Sequence, residues 1–184
     1  SSIGDYAFSG CTLLASITIP DSVTSIGAGA FSGCGSLTNL IIPDSVTSIG
    51  AYAFNNCDSL NSISLPFVGD GGENTHFGYI FGASSYYDNS KYVPQSLKSV
   101  IITGGESIGY RAFGNCDSLE SITLPQSMIS IGEYAFWYCK SLTSIVIPNN
   151  VTSIGDNAFY HCESLTSIVI PDSVTSIGDN AFYY

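Results

Sequence analysis

Six cysteines, Cys11, Cys34, Cys57, Cys116, Cys139 and Cys162, have the widest chemical repertoire in this chain. Six thiols suit a disulfide framework or a zinc site. Their spacing speaks against both. Consecutive cysteines are 23 residues apart, except Cys57 and Cys116, which are 59 apart. No Cys-x-x-Cys pair or histidine cluster completes a zinc set. If each 23-residue unit is one rung of a stack, neighbouring thiols lie roughly 4.8 Å apart and point the same way. A disulfide wants Cβ atoms about 3.8 Å apart on converging vectors. The expectation is six buried free thiols acting as small apolar fillers.

Other reactive groups are sparse. The two histidines, His76 and His161, fall in different units. No G-x-S-x-G, H-E-x-x-H or phosphate loop occurs, so the chain does not read as an enzyme. The stretch DGGEN (70–74) offers calcium Asp70 and Glu73, with Asp88 further on. It lacks the ligand pattern of an EF-hand loop, and acidic Gly-rich turns are ordinarily just solvated. No cofactor is expected. Fifteen acids against four bases give a net charge of −11, which repels phosphate backbones and excludes nucleic acid as a partner. No run of eighteen apolar residues is present, so membrane insertion is not expected. Charged residues make up only 10%; with abundant Ser, Thr, Asn and Tyr, the surface suits an extracellular or cell-surface setting.

The elements that position these groups follow from a repeat. Ile-Gly recurs at 3, 26, 49, 108, 131, 154 and 177, and PDSVTSIG stands unchanged at 20–27, 43–50 and 171–178. One unit reads LTSIVIPNNVTSIGDNAFYHCES, residues 142–164. Ile145 and Ile147 alternate with Ser144 and Val146, the period of a strand with one buried face. Pro148 ends the ladder. Val151 and Ile154 point inward again, and Gly155 is expected to permit unusual turn dihedrals. Ala158, Phe159 and Cys162 have the spacing of a single helical turn. The core is therefore assigned to the six cysteines together with Phe31, Phe54, Phe113, Phe136 and Phe159. One unit cannot bury these residues alone, whereas stacked units bury them continuously.

The string L-x-x-I-x-I-P-x-x-V-x-x-I-G-x-x-A-F-x-x-C resembles the BspA-type leucine-rich repeat family. It covers six spans and a truncated seventh, interrupted only by residues 66–96. The resemblance implies a right-handed leucine-rich repeat solenoid. It would have one parallel β-sheet of about seven short strands, with short helical turns and a second short extended segment opposite. It implies surface or secreted proteins of bacteria and some protists, attached to host molecules, cells or matrix, and no catalytic residues. Residues 1–184 read as a single domain and as a fragment of a longer protein. Its apolar end faces would favour end-to-end self-association.

Three surfaces are candidates for binding. The outward strand residues, such as Ser16, Asn39, Ile41, Ser64, Thr123 and Val146, are small and nearly uncharged, and read as a structural ladder. A second surface gathers aromatics toward the C-terminal end: Tyr134, Trp137, Tyr138, Tyr160, His161 and Tyr183-Tyr184. It suits contact with a protein or sugar, or simple packing over the turn. The third lies in the enlarged unit, residues 66–96. There Phe77-Gly78 stands for Ile-Gly and Ile80-Phe81 for Ala-Phe, so Phe77, Ile80 and Phe81 belong to the core. Tyr86, Tyr87 and Tyr92 are partly exposed candidates on the inserted loop. The expected function is a non-catalytic binding module of an adhesin-like surface protein that contacts a host or cell-surface protein or glycan. The alternatives are an architectural spacer or a carbohydrate-binding accessory unit.

Overall fold

The computed structural model describes residues 1–72 and 75–183. Its strands in chain order are β1 (Ser2–Ile3), β2 (Ser25–Ile26), β3 (Asn39–Ile41), β4 (Ser48–Ile49), β5 (Ser62–Leu65) and β6 (Ser99–Ile102). Then follow β7 (Ser107–Ile108), β8 (Ser121–Thr123), β9 (Ser130–Ile131), β10 (Ser144–Ile145), β11 (Ser153–Ile154) and β12 (Ser176–Ile177). The chain is a parallel β-solenoid of about eight rungs. The first extended segment of each unit builds a five-stranded ladder, β10-β8-β6-β5-β3, and a bridge from Ser144 to Ser167 carries it one rung further. The second extended segment pairs from rung to rung as well. It gives a three-stranded ladder, β1-β2-β4, and a four-stranded one, β12-β11-β9-β7. The gap between these two falls at the enlarged unit. In the second segment serine faces outward and isoleucine inward; in the first, Leu40, Ile63, Val100, Ile122 and Ile145 face inward while Ile41 and Ile101 lie on the outer face. Ile26, Ile49, Ile108, Ile131 and Ile154 are no more than 2% exposed.

The Ala-Phe turn departs from the expected helical turn. In one unit, Ala135 N–H donates to Gly132 O, Trp137 N–H to Tyr134 O and Cys139 N–H to Phe136 O, all three residues back. The intervening amides leave the rung: Tyr134 N–H donates to Asp156 O, Phe136 N–H to Ala158 O and Tyr138 N–H to Tyr160 O, at 2.8–2.9 Å. Splitting the amides between two directions requires left-handed backbone twice per turn. Tyr134 (φ 55°) and Tyr138 (φ 59°) supply it here, and Asn157 (54°) and His161 (57°) in the next rung. Gly155 is not one of these positions. A Cβ on it would lie 2.5 Å from Glu133 N of the preceding rung. The glycine of Ile-Gly is thus needed for close stacking, and the unusual dihedrals come two residues later.

The core is a column of rings and thiols. Phe8, Phe31 and Phe54 stack at centroid distances of 5.2 and 5.7 Å, and Phe113, Phe136, Phe159 and Phe182 at 5.4, 5.0 and 5.1 Å. The enlarged unit joins the two columns with two rings. Phe81 meets Phe54 at 6.3 Å, Phe77 meets Phe113 at 5.0 Å, and the two touch at 5.3 Å. Phe77, Ile80 and Phe81 are fully buried, and Phe54 N–H donates to Ile80 O in the slot that Ala53 fills for Phe31. All six cysteines are free and five are buried. Cys11 is the exception: it is exposed, because its rung is covered on one side only. The buried thiols are more than fillers. Cys34, Cys57, Cys139 and Cys162 each donate to the carbonyl of the preceding rung's Phe, at 3.1–3.3 Å. Burial pushes the thiols of Cys57 and Cys162 up to about 12.

The enlarged unit has no cysteine, and a buried side-chain amide, Asn89, makes its link to the next rung. Asn89 begins α1 (Asn89–Tyr92), and its side chain is completely buried. Its Oδ1 accepts from Gly78 N–H at 3.1 Å and its Nδ2 donates to Gly114 O at 2.8 Å. In regular rungs the carbonyl equivalent to Gly114 O accepts from a backbone amide, as Trp137 O does from Asn115 N–H. One side-chain amide therefore replaces the backbone pairing that the insertion interrupts.

Candidate functional site

The register sets out the site before any side chain is considered. Arg111, Tyr134 and Asn157 share one turn position, and Gly114, Trp137, Tyr160 and Tyr183 share another. Because Gly114 and Asn115 are small, the inserted loop comes down over them: Asn115 Nδ2 reaches Tyr86 O at 3.5 Å. The short 3-10 turn Tyr86–Asp88 then places its two rings beside Trp137, and Tyr87 meets the indole edge-on at 6.3 Å. The two aromatic groups predicted separately, one on the loop and one near Trp137, are a single surface.

Arg111 stands at its centre. The guanidinium carbon lies 4.5 Å from the Tyr134 ring centroid, 4.6 Å from Tyr86, 5.1 Å from Tyr110, 5.2 Å from Trp137 and 5.5 Å from Tyr87. All are within the range of a cation–π contact. Its Nη1 donates to the Tyr87 hydroxyl at 3.0 Å. Its Nε is shut off from water and has no hydrogen-bond partner among the described residues. Burial works against the charge, but the bond to Tyr87 and the surrounding phenols outweigh it and hold the pKa of Arg111 above its ordinary value. Tyr87, hydrogen-bonded to Tyr86 and Arg111, is held below the usual phenol range.

From this cage the rings continue along the stack. Trp137 touches Tyr138 at 4.5 Å, Tyr138 touches Tyr160 at 6.1 Å and His161 at 4.6 Å, and Tyr160 stacks on Tyr183 at 5.4 Å. His161 faces Glu163 across 3.3 Å, and Lys140 Nζ lies over the Tyr138 ring at 5.4 Å. Of the predicted residues, Tyr86, Tyr87, Tyr134, Trp137, Tyr138, Tyr160 and His161 are thus brought together, while Tyr184 lies outside the described residues.

Tyr92 is elsewhere. It packs half-buried against the core with Lys91 Nζ 5.0 Å above it, beside a cleft lined by Asn55, Asp58 and Pro94. Sequence reasoning missed Tyr110 and Arg111 as site residues. The signal was the 23-residue register, which sets Arg111 beside Tyr134 and puts Tyr110 where other units carry Asp, Glu or Ala.

The calcium candidate has no described support. Glu73 lies outside the described residues. Asp70 accepts from Gly72 N–H at 2.8 Å, and Asp88 accepts from the hydroxyls of Ser84 and Ser85. No group of three His, Cys, Asp or Glu side chains able to hold a metal ion occurs among the described residues. On the strand face, Asn39 Oδ1 accepts from Ser62 Oγ at 2.6 Å, as a structural ladder requires. That face also carries an open groove of about 610 Å³ alongside Ile41, which is 72% exposed.

Comparison with known proteins agrees with this architecture. The sequence matches the BspA type leucine-rich repeat region in six copies, over residues 1–77 and 86–184. The interval left out falls in the enlarged unit. A leucine-rich repeat protein from Bacteroides ovatus, of known structure, is 35% identical with a TM-score of 0.67, and the match covers 99% of this chain and 43% of that one. One from Eubacterium ventriosum is 29% identical with a TM-score of 0.61, covering 94% of this chain and 43% of that one. The chain thus spans less than half the length of either relative. No curated protein matches it. With the repeat matched over nearly its whole length and the solenoid formed, the chain belongs to the BspA type leucine-rich repeat family.

Proposed function

We propose that this chain is a non-catalytic protein-binding module of a bacterial surface or secreted protein, and that it binds through the aromatic stripe centred on Arg111. The observation that carries this reading is the composition of the stripe. Tyr, Trp and Arg are the residue types enriched at interface hot spots, and here they are contiguous and partly exposed. Ring orientation favours a protein over a glycan. Tyr160 and Tyr183 stack on each other at 18°, and the rings around Arg111 meet edge-to-face or cover the guanidinium. Such packing engages ring faces on which a sugar would otherwise stack. Surface attachment rests on the family resemblance.

The test is a pull-down of host surface proteins alongside a glycan array, with wild type and a Tyr87→Ala/Trp137→Ala variant. The expected result is a protein partner whose retention falls at least about tenfold in the variant. Glycan binding lost in the same variant would replace this reading with the carbohydrate-binding one. A folded protein that binds nothing in either assay would make the chain a spacer.

A further inference from the structure

We propose that Arg111 is the receptor for a single Asp or Glu carboxylate of a protein partner, its guanidinium being held by five rings and bonded to one phenol. This rests on the reading of the stripe as a protein-binding surface, and names the chemistry at its centre.

A guanidinium carries five N–H donors, and one of Arg111's is matched to a protein acceptor, Tyr87 Oη. The bonded end, Nη1 with Tyr87 Oη, lies at the exposed side of the cage, whereas Nε is sealed beneath the rings. No carboxylate pairs with Arg111 among the described residues; the ion pairs found there are Lys98 with Glu120 and His161 with Glu163. The rings stabilise the charge without neutralising it, and they strip water from its flanks, which strengthens any charge-assisted hydrogen bond made to its open end. The centre of the surface therefore offers donors and positive charge, and its matching ligand group is an anion with two acceptor oxygens.

Charge distribution agrees. In a chain with four bases and a net charge of −11, Lys98 is already paired, and Arg111 and Lys140 both stand on the stripe. The most acceptor-seeking part of an acidic molecule coincides with its aromatic surface. A singly charged carboxylate suits it better than a phosphate, because the surrounding negative field opposes a dianion more strongly. A peptide source is favoured over a sugar acid for the reason already given: the ring faces are committed to Arg111 and to one another. Apolar residues flanking the acid would rest on ring edges instead.

The experiment uses Trp137 as reporter, since it is the single tryptophan of the chain and its ring lies 5.2 Å from the guanidinium. A random peptide library is panned on the wild-type protein, and enriched peptides are titrated while Trp137 emission is followed. Three proteins are compared: wild type, Arg111→Lys, and Arg111→Asn. Asparagine already occupies this left-handed position at Asn157 and Asn180, so the last variant keeps a residue suited to the backbone.

The expected result is enrichment of peptides with Asp or Glu at a common position. Replacing that acid by its amide should weaken wild-type binding at least about tenfold. The preference should fall to within about twofold in Arg111→Asn and be partly kept in Arg111→Lys. Peptides that shift Trp137 but lack an acid, or whose acid-to-amide ratio survives Arg111→Asn, overturn the proposal and leave the protein-binding reading standing. If no peptide binds but N-acetylneuraminate or glucuronate shifts Trp137, the carboxylate comes from a sugar and the protein source is overturned. If neither acts on Trp137, both readings fall.

Discussion

Tyr134 and Asn157 occupy the same left-handed position one rung apart, with φ of 55° and 54°, and their chemistry differs in the way stability and binding demand. Asn is at home there, and Tyr is strained by about 1 kcal/mol or more. Tyr134→Asn should therefore raise stability to urea by up to about 1 kcal/mol while weakening partner binding, a trade expected where function is placed on strained backbone. Asn157→Val should cost about 1–2 kcal/mol, because a β-branched side chain tolerates this region poorly. The cysteines give a second residue-level test. In the unfolded chain thiols ionise around 9, while Cys57 and Cys162 in the fold hold their protons to about 12. Stability is thus intact below pH 9 and is lost as pH rises from 9 toward 12, by up to about 1.4 kcal/mol per pH unit for each thiol. Cys57→Ala should show a shallower alkaline decline in chemical denaturation than wild type. An exposed-thiol reagent should label Cys11 quickly in the native protein and the other five only on unfolding.

At the scale of elements, the enlarged unit shows what the sequence made legible. The period identified Phe77, Ile80 and Phe81 as core, because residues that replace Ile-Gly and Ala-Phe keep their apolar character. It did not identify Asn89, because a side-chain amide standing in for backbone hydrogen bonds leaves no periodic trace. The turns mislead for a related reason. Ala158, Phe159 and Cys162 have helical spacing, but the amides between them bond across rungs, a choice made by the neighbour and not by the local sequence. The site was half legible. Its aromatics were conspicuous, but joining Tyr87 to Trp137 needed the loop's landing place, and Arg111 was counted as charge rather than placed by register. Asn89→Ala leaves Gly78 N–H and Gly114 O unpaired in a buried place, and should cost about 2–5 kcal/mol in chemical denaturation. Asn89→Cys should not recover this, because a thiol has no carbonyl for Gly78 N–H.

At the scale of the whole molecule, stability is carried along one axis by contacts between neighbouring rungs. The phenylalanine column is continuous only because Phe81 and Phe77 hand it across the enlarged unit. Phe81→Ala should cost about 3–5 kcal/mol and weaken the coupling of the two halves. Thermal unfolding should then resolve into two transitions, where wild type shows one. The Asn89 bridge also bears on how sequence can change around it. Residues 84–88, which carry Tyr86 and Tyr87, run between buried Ala83, whose N–H donates to Gly78 O, and buried Asn89, whose side chain bonds Gly78 N–H and Gly114 O. Foreign peptides of similar length grafted between these two anchors would leave the scaffold undisturbed. The same solenoid could thus exchange one recognition loop for another, as an antibody framework does with its hypervariable segments.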